Sequence, residues 1–337
     1  MKFKHFSIIC SIFLIMLCGA CSSSYEDGDI RDHSSETLQH MYIDSDGYCR
    51  NINFSTSEKR LSFDTKVRMP RCLDSIYYYT ISVSENHFSR MVEELILKNF
   101  TNYKQNAFSN SVEYYASEDE STYAFLNIDD SGHLYYDTSN GISGVLIGEL
   151  YEYQFFESSS CYDMPAEKVT AIEIATTFAE TYSDLVFLPY RTLVEYDNQK
   201  NLSCFQVYLQ AEVDGIPICE LSSNPTNSFM AKFNISPSGV TYFQGKVCFD
   251  NIVRSDPARV LTYDEIMDVF KNSISYFMYK DSGIVYDASL EYHAQLDSDG
   301  TYSLRPIWCF HIRYDDGSFD TITFFADTGD LCHTGVS

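Results

Sequence analysis

Basic residues are scarce in this chain, and their scarcity excludes one broad class of partners. Only 23 Lys and Arg residues stand against 48 Asp and Glu residues, so the formal net charge at pH 7 is -25. A nucleic-acid partner requires a basic surface that neutralises phosphates. We therefore expect no nucleic-acid partner. We interpret the acidic excess as a solubility feature of a protein that works outside the cytoplasm, with attraction of cationic ligands or calcium as the alternative.

Established catalytic motifs are also missing. The sequence has no Gly-x-Ser-x-Gly elbow, no His-Glu-x-x-His helix, no phosphate-binding loop and no dinucleotide-binding glycine pattern. Asp327-Thr328-Gly329 matches the loop of aspartic proteases, whose two carboxylates share a proton, but the sequence has no second copy. We interpret Asp327 as a turn residue and predict no catalytic residue. A dimeric aspartic protease-like enzyme stays open as an alternative.

The C-terminal cysteines lack the close Cys-x-x-Cys spacing that is typical of zinc sites. Cys309 and His311 are expected on one face of a strand, with Cys332 and His333 on the next strand. We predict core packing or a disulfide between Cys309 and Cys332, and neither a metal ligand nor a cofactor-binding residue. A metal-dependent hydrolase that uses all four residues is the alternative.

Two acidic stretches, Asp44-Ser45-Asp46-Gly47 and Asp297-Ser298-Asp299-Gly300, superficially resemble calcium loops. An EF-hand needs three spaced acids, a Gly at position six and a Glu at position twelve, and neither stretch supplies this set. Turn chemistry accounts for both stretches, so we predict turns there.

The N-terminal segment has the pattern of an export signal. Lys2 and Lys4 precede an apolar run at 6–17, which is short for a transmembrane helix. The following Leu17-Cys18-Gly19-Ala20-Cys21 resembles the bacterial lipobox, although Cys18 stands where Leu is usual. The resemblance implies that Cys21 is lipidated and anchors an extracytoplasmic protein to the cell membrane. We thus predict a lipoprotein signal peptide at 1–20 and a flexible polar tether at 21–40.

Eight cysteines follow Cys21. An even number outside the cytoplasm permits disulfides, but most of these cysteines stand singly within apolar strands. Free thiols and disulfides both stay open.

The patterning of the mature chain predicts an α+β fold. Residues 61–69 alternate between apolar and polar as a half-buried strand does, and 15% of the chain is aromatic, which favours strands. A helix is predicted near Asn86, one after Pro165 with the buried stripe Val169, Ile172, Ala175, Ala179 and Tyr182, and one after Thr262. The last two are each followed by an antiparallel meander, and Asp214-Gly215 predicts a tight hairpin. We expect antiparallel sheets, each covered by a helix, in domains at 41–158, 159–255 and 256–337.

Several short motifs resemble known modules. Leu304-Arg305-Pro306-Ile307-Trp308-Cys309-Phe310, with Asp327-Thr328-Gly329-Asp330-Leu331, is similar to the closing signature of PepSY-like modules. The stretch 213–218 resembles a hairpin of those modules and of the YycH and YycI regulators of the WalK sensor kinase. The strand, Pro70, aromatic strand and helix of the first domain resemble an uncharacterised family of Gram-positive surface lipoproteins.

These resemblances imply tandem PepSY-like units at 159–255 and 256–337, after a small N-terminal α+β domain. They also imply a non-enzymatic cell-surface lipoprotein that binds a protein or peptide partner and is able to regulate a membrane sensor or a protease. The hydrolase through Asp327, or through Cys309, His311, Cys332 and His333, is the alternative function.

Overall fold

The computed structural model describes residues 42, 47–70, 73–119, 122–138, 151–155, 166–196, 202–219, 229–236 and 239–336. The predicted signal peptide, the tether and Cys21 therefore lie outside the described residues. The chain from His40 onward forms one compact unit. No helix among the described residues is long and apolar enough to cross a membrane.

Strands dominate the described part of the chain, and three α-helices accompany them, so the α+β class is confirmed. The helices are α1 (Glu85–Val92), α2 (Ala166–Thr181) and α3 (Tyr263–Phe277), and α1 continues into a π-helical turn at Glu93–Leu97. The strands are β1 (Tyr48–Ser55), β2 (Arg60–Arg68), β3 (Tyr77–Val83), β4 (Tyr103–Ala107), β5 (Ser111–Asp119), β6 (Thr122–Asp129), β7 (His133–Asp137), β8 (Tyr151–Phe155), β9 (Val186–Tyr196), β10 (Leu202–Val213), β11 (Ile216–Cys219), β12 (Met230–Ser236), β13 (Gly239–Lys246), β14 (Phe249–Pro257), β15 (Ser282–Leu296), β16 (Thr301–Tyr314), β17 (Phe319–Phe325) and β18 (Leu331–Val336).

One group of nine strands is antiparallel throughout. Its order is β8-β9-β10-β12-β13-β7-β6-β5-β4. The pairing of β13 with β7 joins strands on either side of the predicted boundary at residue 158. We call this group the nine-stranded sheet.

A second group of strands is built around the long hairpin of β15 and β16. At one end of the hairpin the order is β1-β2-β15-β16-β17-β18, and at the other end it is β11-β15-β16-β3-β14. Both β2 and β11 run parallel to β15, so this group, which we call the hairpin sheet, is mixed rather than purely antiparallel. The N-terminal strands therefore pair with the C-terminal ones, across all three predicted domains.

A helix followed by four strands of an antiparallel meander occurs three times in succession. The first unit is α1 with β4 to β7, the second is α2 with β9, β10, β12 and β13, and the third is α3 with β15 to β18. The sequence predicted this pattern for the second and third units only. It missed the first because β4 is polar and all of its residues are exposed.

Local sequence chemistry fixes the ends of these elements. The Thr262 side chain accepts a hydrogen bond from the backbone N–H of Glu265, whose carboxylate accepts one from the N–H of Thr262, so the predicted capping box begins α3. Asp214 and Gly215 both have positive φ, 51° and 75°, as the tight turn between β10 and β11 requires.

The buried stripe of α2 differs from the predicted one at its start. Val169 is exposed, whereas Ala171, Ala175 and Ala179 are buried. Val169 lies two residues before Ala171, a rotation of about 200° around the helix axis, so its side chain points away from that of Ala171. Phe178 of α2 packs against Phe233 in the nine-stranded sheet.

Candidate functional site

The nine-stranded sheet has one face that packs on helices and one that does not. On the first face, Phe178 lies 5.6 Å from Phe233 and 5.7 Å from Phe243 between ring centroids, and Phe88 of α1 lies 6.2 Å from Tyr114. Side chains alternate along a strand, so the neighbours of these residues point to the opposite face. That opposite face is rich in tyrosine.

We define the aromatic face by five rings on six adjacent strands: Tyr208 (β10), Tyr242 (β13), Tyr135 (β7), Phe125 (β6) and Tyr115 (β5), with β12 between the first two strands. Phe125 and Tyr135 meet edge to face at 5.8 Å, and Tyr135 meets Tyr242 at 5.3 Å. Tyr115 at the outer end is 46% exposed. These edge-to-face contacts hold the rings in fixed orientations.

Lys232 of β12 bridges the gap in this row of rings. Its Nζ lies 5.9 Å from the ring centroid of Tyr208 and 5.6 Å from that of Tyr242, within cation–π range. Lys232 therefore connects the two tyrosines and adds a positive charge to an otherwise neutral row.

Hydrogen-bonding groups lie between the rings. The hydroxyl of Tyr242 donates to Oε1 of Gln244 at 2.6 Å, and that of Tyr208 donates to Oε1 of Gln206 at 3.3 Å. Burial, followed by the nearby Tyr135 and Asp137, raises the pKa of Tyr242 to about 12, so its hydroxyl keeps its proton at neutral pH. The face thus offers ring surfaces for apolar contact and neutral donors and acceptors for hydrogen bonds.

One end of the aromatic face is a shallow depression of ≈ 640 Å³. It is lined by Glu113, Tyr115, Phe125, Asn127, His133 and Tyr135. Next to it lies β4, whose five residues are all exposed and which, among the described strands, pairs only with β5. An edge strand of this kind presents unpaired backbone groups to which an extended chain can add.

The aromatic face was not predicted from the sequence, although a signal for it was present. In β6, Phe125 stands between Ala124 and Leu126, which are fully buried. In β7, Tyr135 likewise stands beside the fully buried Leu134. Aromatic residues at the alternate, outward positions of two strands joined by a tight turn indicate a shared face. Without the pairing of β7 with β13, however, Tyr242 could not be assigned to it.

Asp327 lies in a different place, at the end of β17, and is held by an ion pair. Nε and Nη2 of Arg305 donate to its two carboxylate oxygens at 3.0 and 2.7 Å, and the hydroxyl of Tyr78 donates at 2.7 Å. Burial opposes ionisation of Asp327, but these hydrogen bonds outweigh it and lower the pKa of the carboxyl. Arg305 and Tyr78 also line a cavity of ≈ 300 Å³ that includes His293.

This environment favours a permanently ionised Asp327, whereas an aspartic protease needs a carboxylate that shares a proton with a second one. Gly329 has a positive φ of 77°, and its N–H donates to the carbonyl of Phe325 at 2.8 Å, so the Asp-Thr-Gly stretch forms a turn. The contacts of Asp327 among the described residues thus fit an orienting ion pair.

Of the four zinc-compatible residues, the structure brings Cys309 and His311 together. Sγ of Cys309 lies 3.5 Å from Nε2 of His311. Their third neighbour is Glu291 of β15, since the ligand atoms of these three residues all lie within 4.8 Å of one another. His333 instead lies near His293, whose pKa is lowered by burial and then by His333 and Arg305. Glu291 was not predicted from the sequence as a member of this group.

The sequence left both free thiols and disulfides open, and the described part of the chain favours free thiols. Cys309 and Cys332 both carry free thiols, so the predicted disulfide between them is wrong. Strand β17 accounts for this, because it lies between β16 and β18 and places Thr323, not Cys332, next to Cys309. Cys219 and Cys248 also carry free thiols; Cys248 is buried and Cys219 is partly buried.

The predicted turn at 297–300 is also found. Oδ1 of Asp299 accepts hydrogen bonds from the N–H and the hydroxyl of Thr301 at 3.0 and 2.7 Å, and Gly300 has a φ of 84°. The corresponding Asp44 and Asp46 lie outside the described residues.

Comparison with known proteins identifies a similar fold and no family. A solved structure of an uncharacterised protein from Eubacterium rectale is similar to this chain, with a TM-score of 0.57 and 16% identity over 84% of this chain and 93% of that one. The C-terminal domain of Bacillus megaterium YpeB matches with a TM-score of 0.37 and 11% identity, over 76% of this chain and 98% of that domain. No protein-family model and no curated protein sequence matches the chain.

Proposed function

We propose that this protein is a non-enzymatic binding module of the bacterial cell surface, which holds an extended segment of a protein or peptide partner across its aromatic face. The observation that carries the proposal is the row of Tyr115, Phe125, Tyr135 and Tyr242 beside the edge strand β4. Aromatic rings are rigid, and they gain contact area on binding at a low cost in conformational entropy.

The shape of this surface favours an extended chain over a small molecule. Its depression is open and lies along strands rather than inside a closed cavity. The backbone groups of β4 can form main-chain hydrogen bonds with one stretch of the partner, while another stretch of the same partner lies over the rings of the aromatic face. The net charge of -25 further favours a basic or neutral partner segment over an acidic one.

We also propose that the protein is exported and anchored through a lipid on Cys21, and that its repeated helix and meander units are PepSY-like. The lipobox-like residues before Cys21 support the first statement. The Pro306-x-Trp308 strand and the threefold helix-and-meander pattern support the second. A tether at 21–40 would keep the binding module within reach of membrane proteins, so a sensor or a protease in the same membrane is a suitable partner.

Site-specific photo-crosslinking in intact cells tests the binding proposal. A photo-reactive amino acid replaces Tyr115 on the aromatic face, and the matched control replaces Tyr276, an 89% exposed tyrosine on α3. We expect one specific protein adduct at position 115, which a second change, Tyr135→Ala, removes, and no such adduct at position 276. Equal labelling at both positions, or no adduct at position 115, would contradict the proposal.

Cell fractionation tests the anchor separately. Cys21→Ser should move the chain from the membrane fraction to the soluble fraction without detergent, because the acyl chains are lost. A Cys21→Ser chain that stays with the membranes would show that the anchor is wrong, whatever the outcome of the crosslinking.

A further inference from the structure

A cluster of metal-ligating side chains lies on the hairpin sheet, apart from the aromatic face. Cys309 and His311 lie two residues apart on β16 and so point to one face of the sheet, while Glu291 reaches them from the neighbouring β15. Cys309 and Glu291 are buried, and the His311 side chain is 30% exposed. A cation could therefore enter beside His311.

The separation of the first two ligand atoms suits a tetrahedral zinc ion. With Zn–S of about 2.3 Å and Zn–N of about 2.0–2.1 Å, two ligands at the tetrahedral angle lie about 3.6 Å apart. Sγ of Cys309 and Nε2 of His311 are 3.5 Å apart. A direct hydrogen bond has the same distance, and the groups around the two ligand atoms distinguish a metal site from a hydrogen bond.

Those neighbours orient the ligands as the outer partners of metal sites do. Nδ1 of His311 lies 3.0 Å from the hydroxyl oxygen of Thr321, which leaves Nε2 directed toward Cys309. The hydroxyl of Ser289 donates to Oε1 of Glu291 at 2.6 Å, which leaves Oε2 available. A hydrogen bond to the distal nitrogen of a ligating histidine fixes its tautomer and ring orientation.

The site also has a candidate fourth ligand and a net negative charge. Cys219, at the end of β11, pairs with His293 of β15, two residues from Glu291, so Cys219 lies diagonal to Glu291 on the neighbouring strand. Arg68 forms a bidentate pair with Asp287, with Nη2 to Oδ2 at 2.6 Å, and the same Nη2 also lies 4.0 Å from Oε1 of Glu291. One guanidinium therefore faces two carboxylates, which leaves these three groups with a net negative charge.

We propose that Glu291, Cys309 and His311, with Cys219 as the fourth ligand, form a binding site for Zn²⁺. Two thiolates, an imidazole and a carboxylate are a ligand set that zinc accepts, and a closed four-ligand set of this kind is typical of structural sites. The bound ion would link β11 to the hairpin of β15 and β16.

Cobalt substitution of the full chain, purified in detergent under reducing conditions, tests this site. Co²⁺ is the probe, because a thiolate ligand gives a sulfur-to-cobalt charge-transfer band that oxygen and nitrogen ligands alone do not give. We expect one Co²⁺ per chain with this band, and its displacement by stoichiometric Zn²⁺. Absence of the band from the folded protein would overturn the proposal.

Matched variants assign the ligands. Cys309→Ser should weaken both the band and the affinity, because one of the two thiolate ligands is lost, whereas Cys248→Ser, a change of a buried free cysteine in the turn between β13 and β14, should leave both unchanged. Thr321→Val should weaken binding about 10- to 100-fold through the loss of the partner of His311. Thr321→Ser, which keeps the hydroxyl, should restore it. If Cys309→Ser does not fold, His311→Ala serves instead, and an unchanged band and affinity in either variant would show that the metal binds elsewhere.

Discussion

Phe270 of α3 provides a direct test of how the N-terminal and C-terminal strands fold together. Its ring is fully buried and lies 5.7 Å from Phe63 of β2, 4.6 Å from Phe310 of β16 and 5.6 Å from Phe324 of β17. Phe63 and Phe270 are far apart in sequence, yet they share one core. We expect Phe270→Ala to lower the free energy of unfolding by about 3–5 kcal/mol, from lost burial and the remaining cavity.

A double-mutant cycle then measures the contact itself. Phe63→Ala should cost about as much as Phe270→Ala, but the double variant should cost less than the sum of the two by about 0.5–1.5 kcal/mol, the value of an aromatic pair beyond its buried area. Tyr276→Ala on the same helix is the control, because that side chain is 89% exposed, and it should change stability by about 0.5 kcal/mol or less.

Urea unfolding followed by two signals is the assay. Trp308, the single tryptophan of the chain, reports on the hairpin sheet, where its Nε1 donates to the carbonyl of Leu261 at 3.0 Å. Circular dichroism reports on all the strands and helices. We expect Phe63→Ala to shift the Trp308 transition. If residues 41–158 folded as a separate domain, the Trp308 transition would not move and the cycle would show no coupling, and that result would refute the single-core reasoning.

Three further predictions follow from other contacts. Thr262→Ala removes the cap of α3 and should lower the free energy of unfolding by about 1 kcal/mol in the same urea assay. The lowered pKa of Asp327 stabilises the fold above the pKa of the unfolded chain, so the stability lost in Asp327→Asn should shrink as the pH falls through the pKa of the folded state. Burial and then the hydrogen bond to Asp327 raise the pKa of Tyr78 to about 12, so Tyr78→Phe should lose least stability above that pH. A stability difference that does not change with pH in either variant would contradict these contacts. Gly245→Ala should prevent close pairing of β13 with β12, because an added Cβ would lie 2.6 Å from the carbonyl oxygen of Met230. Gly300→Ala, where φ is 84° but the added Cβ meets open space, should cost only about 1–2 kcal/mol in thermal unfolding.

Short-range chemistry accounts for the parts of the fold that the sequence predicted correctly. Strand β2 alternates because one of its faces is buried, the capping box at Thr262 begins α3, and Asp214-Gly215 supplies a tight turn. Each of these signals acts over a few residues. The strands that were missed lack such a signal: β4 is exposed along its whole length, and β14 is exposed over most of its length, so neither shows a half-buried alternation.

The pairing between strands that are distant in sequence determines the strand order of the sheets, and it could not be predicted from the sequence. The hairpin of β15 and β16 pairs with β2 and β3, which come from the other end of the chain, and β2 and β11 both run parallel to β15. A single apolar strand face does not specify which of several partners covers it. The domain boundaries were inferred from sequence order, whereas strand pairing joins the predicted domains in space.

The residues of the candidate metal cluster show which cross-strand neighbours can be predicted by counting residues outward from a turn and which cannot. Counted outward from the turn at 297–300, the register between β15 and β16 places Ser289 opposite Cys309 and Glu291 opposite Ile307, so Glu291 lies diagonal to Cys309. This neighbour could have been found from the sequence, since the turn was predicted. Between β17 and β18 the register shifts at Thr323 and Phe324, which pair with His333 and Leu331 and leave Cys332 as the extra residue of a bulge. Strand β17 lies between β16 and β18, so Cys332 and His333 lie two strands away from Cys309 and His311, and this strand order could not be read from the spacing of the four residues.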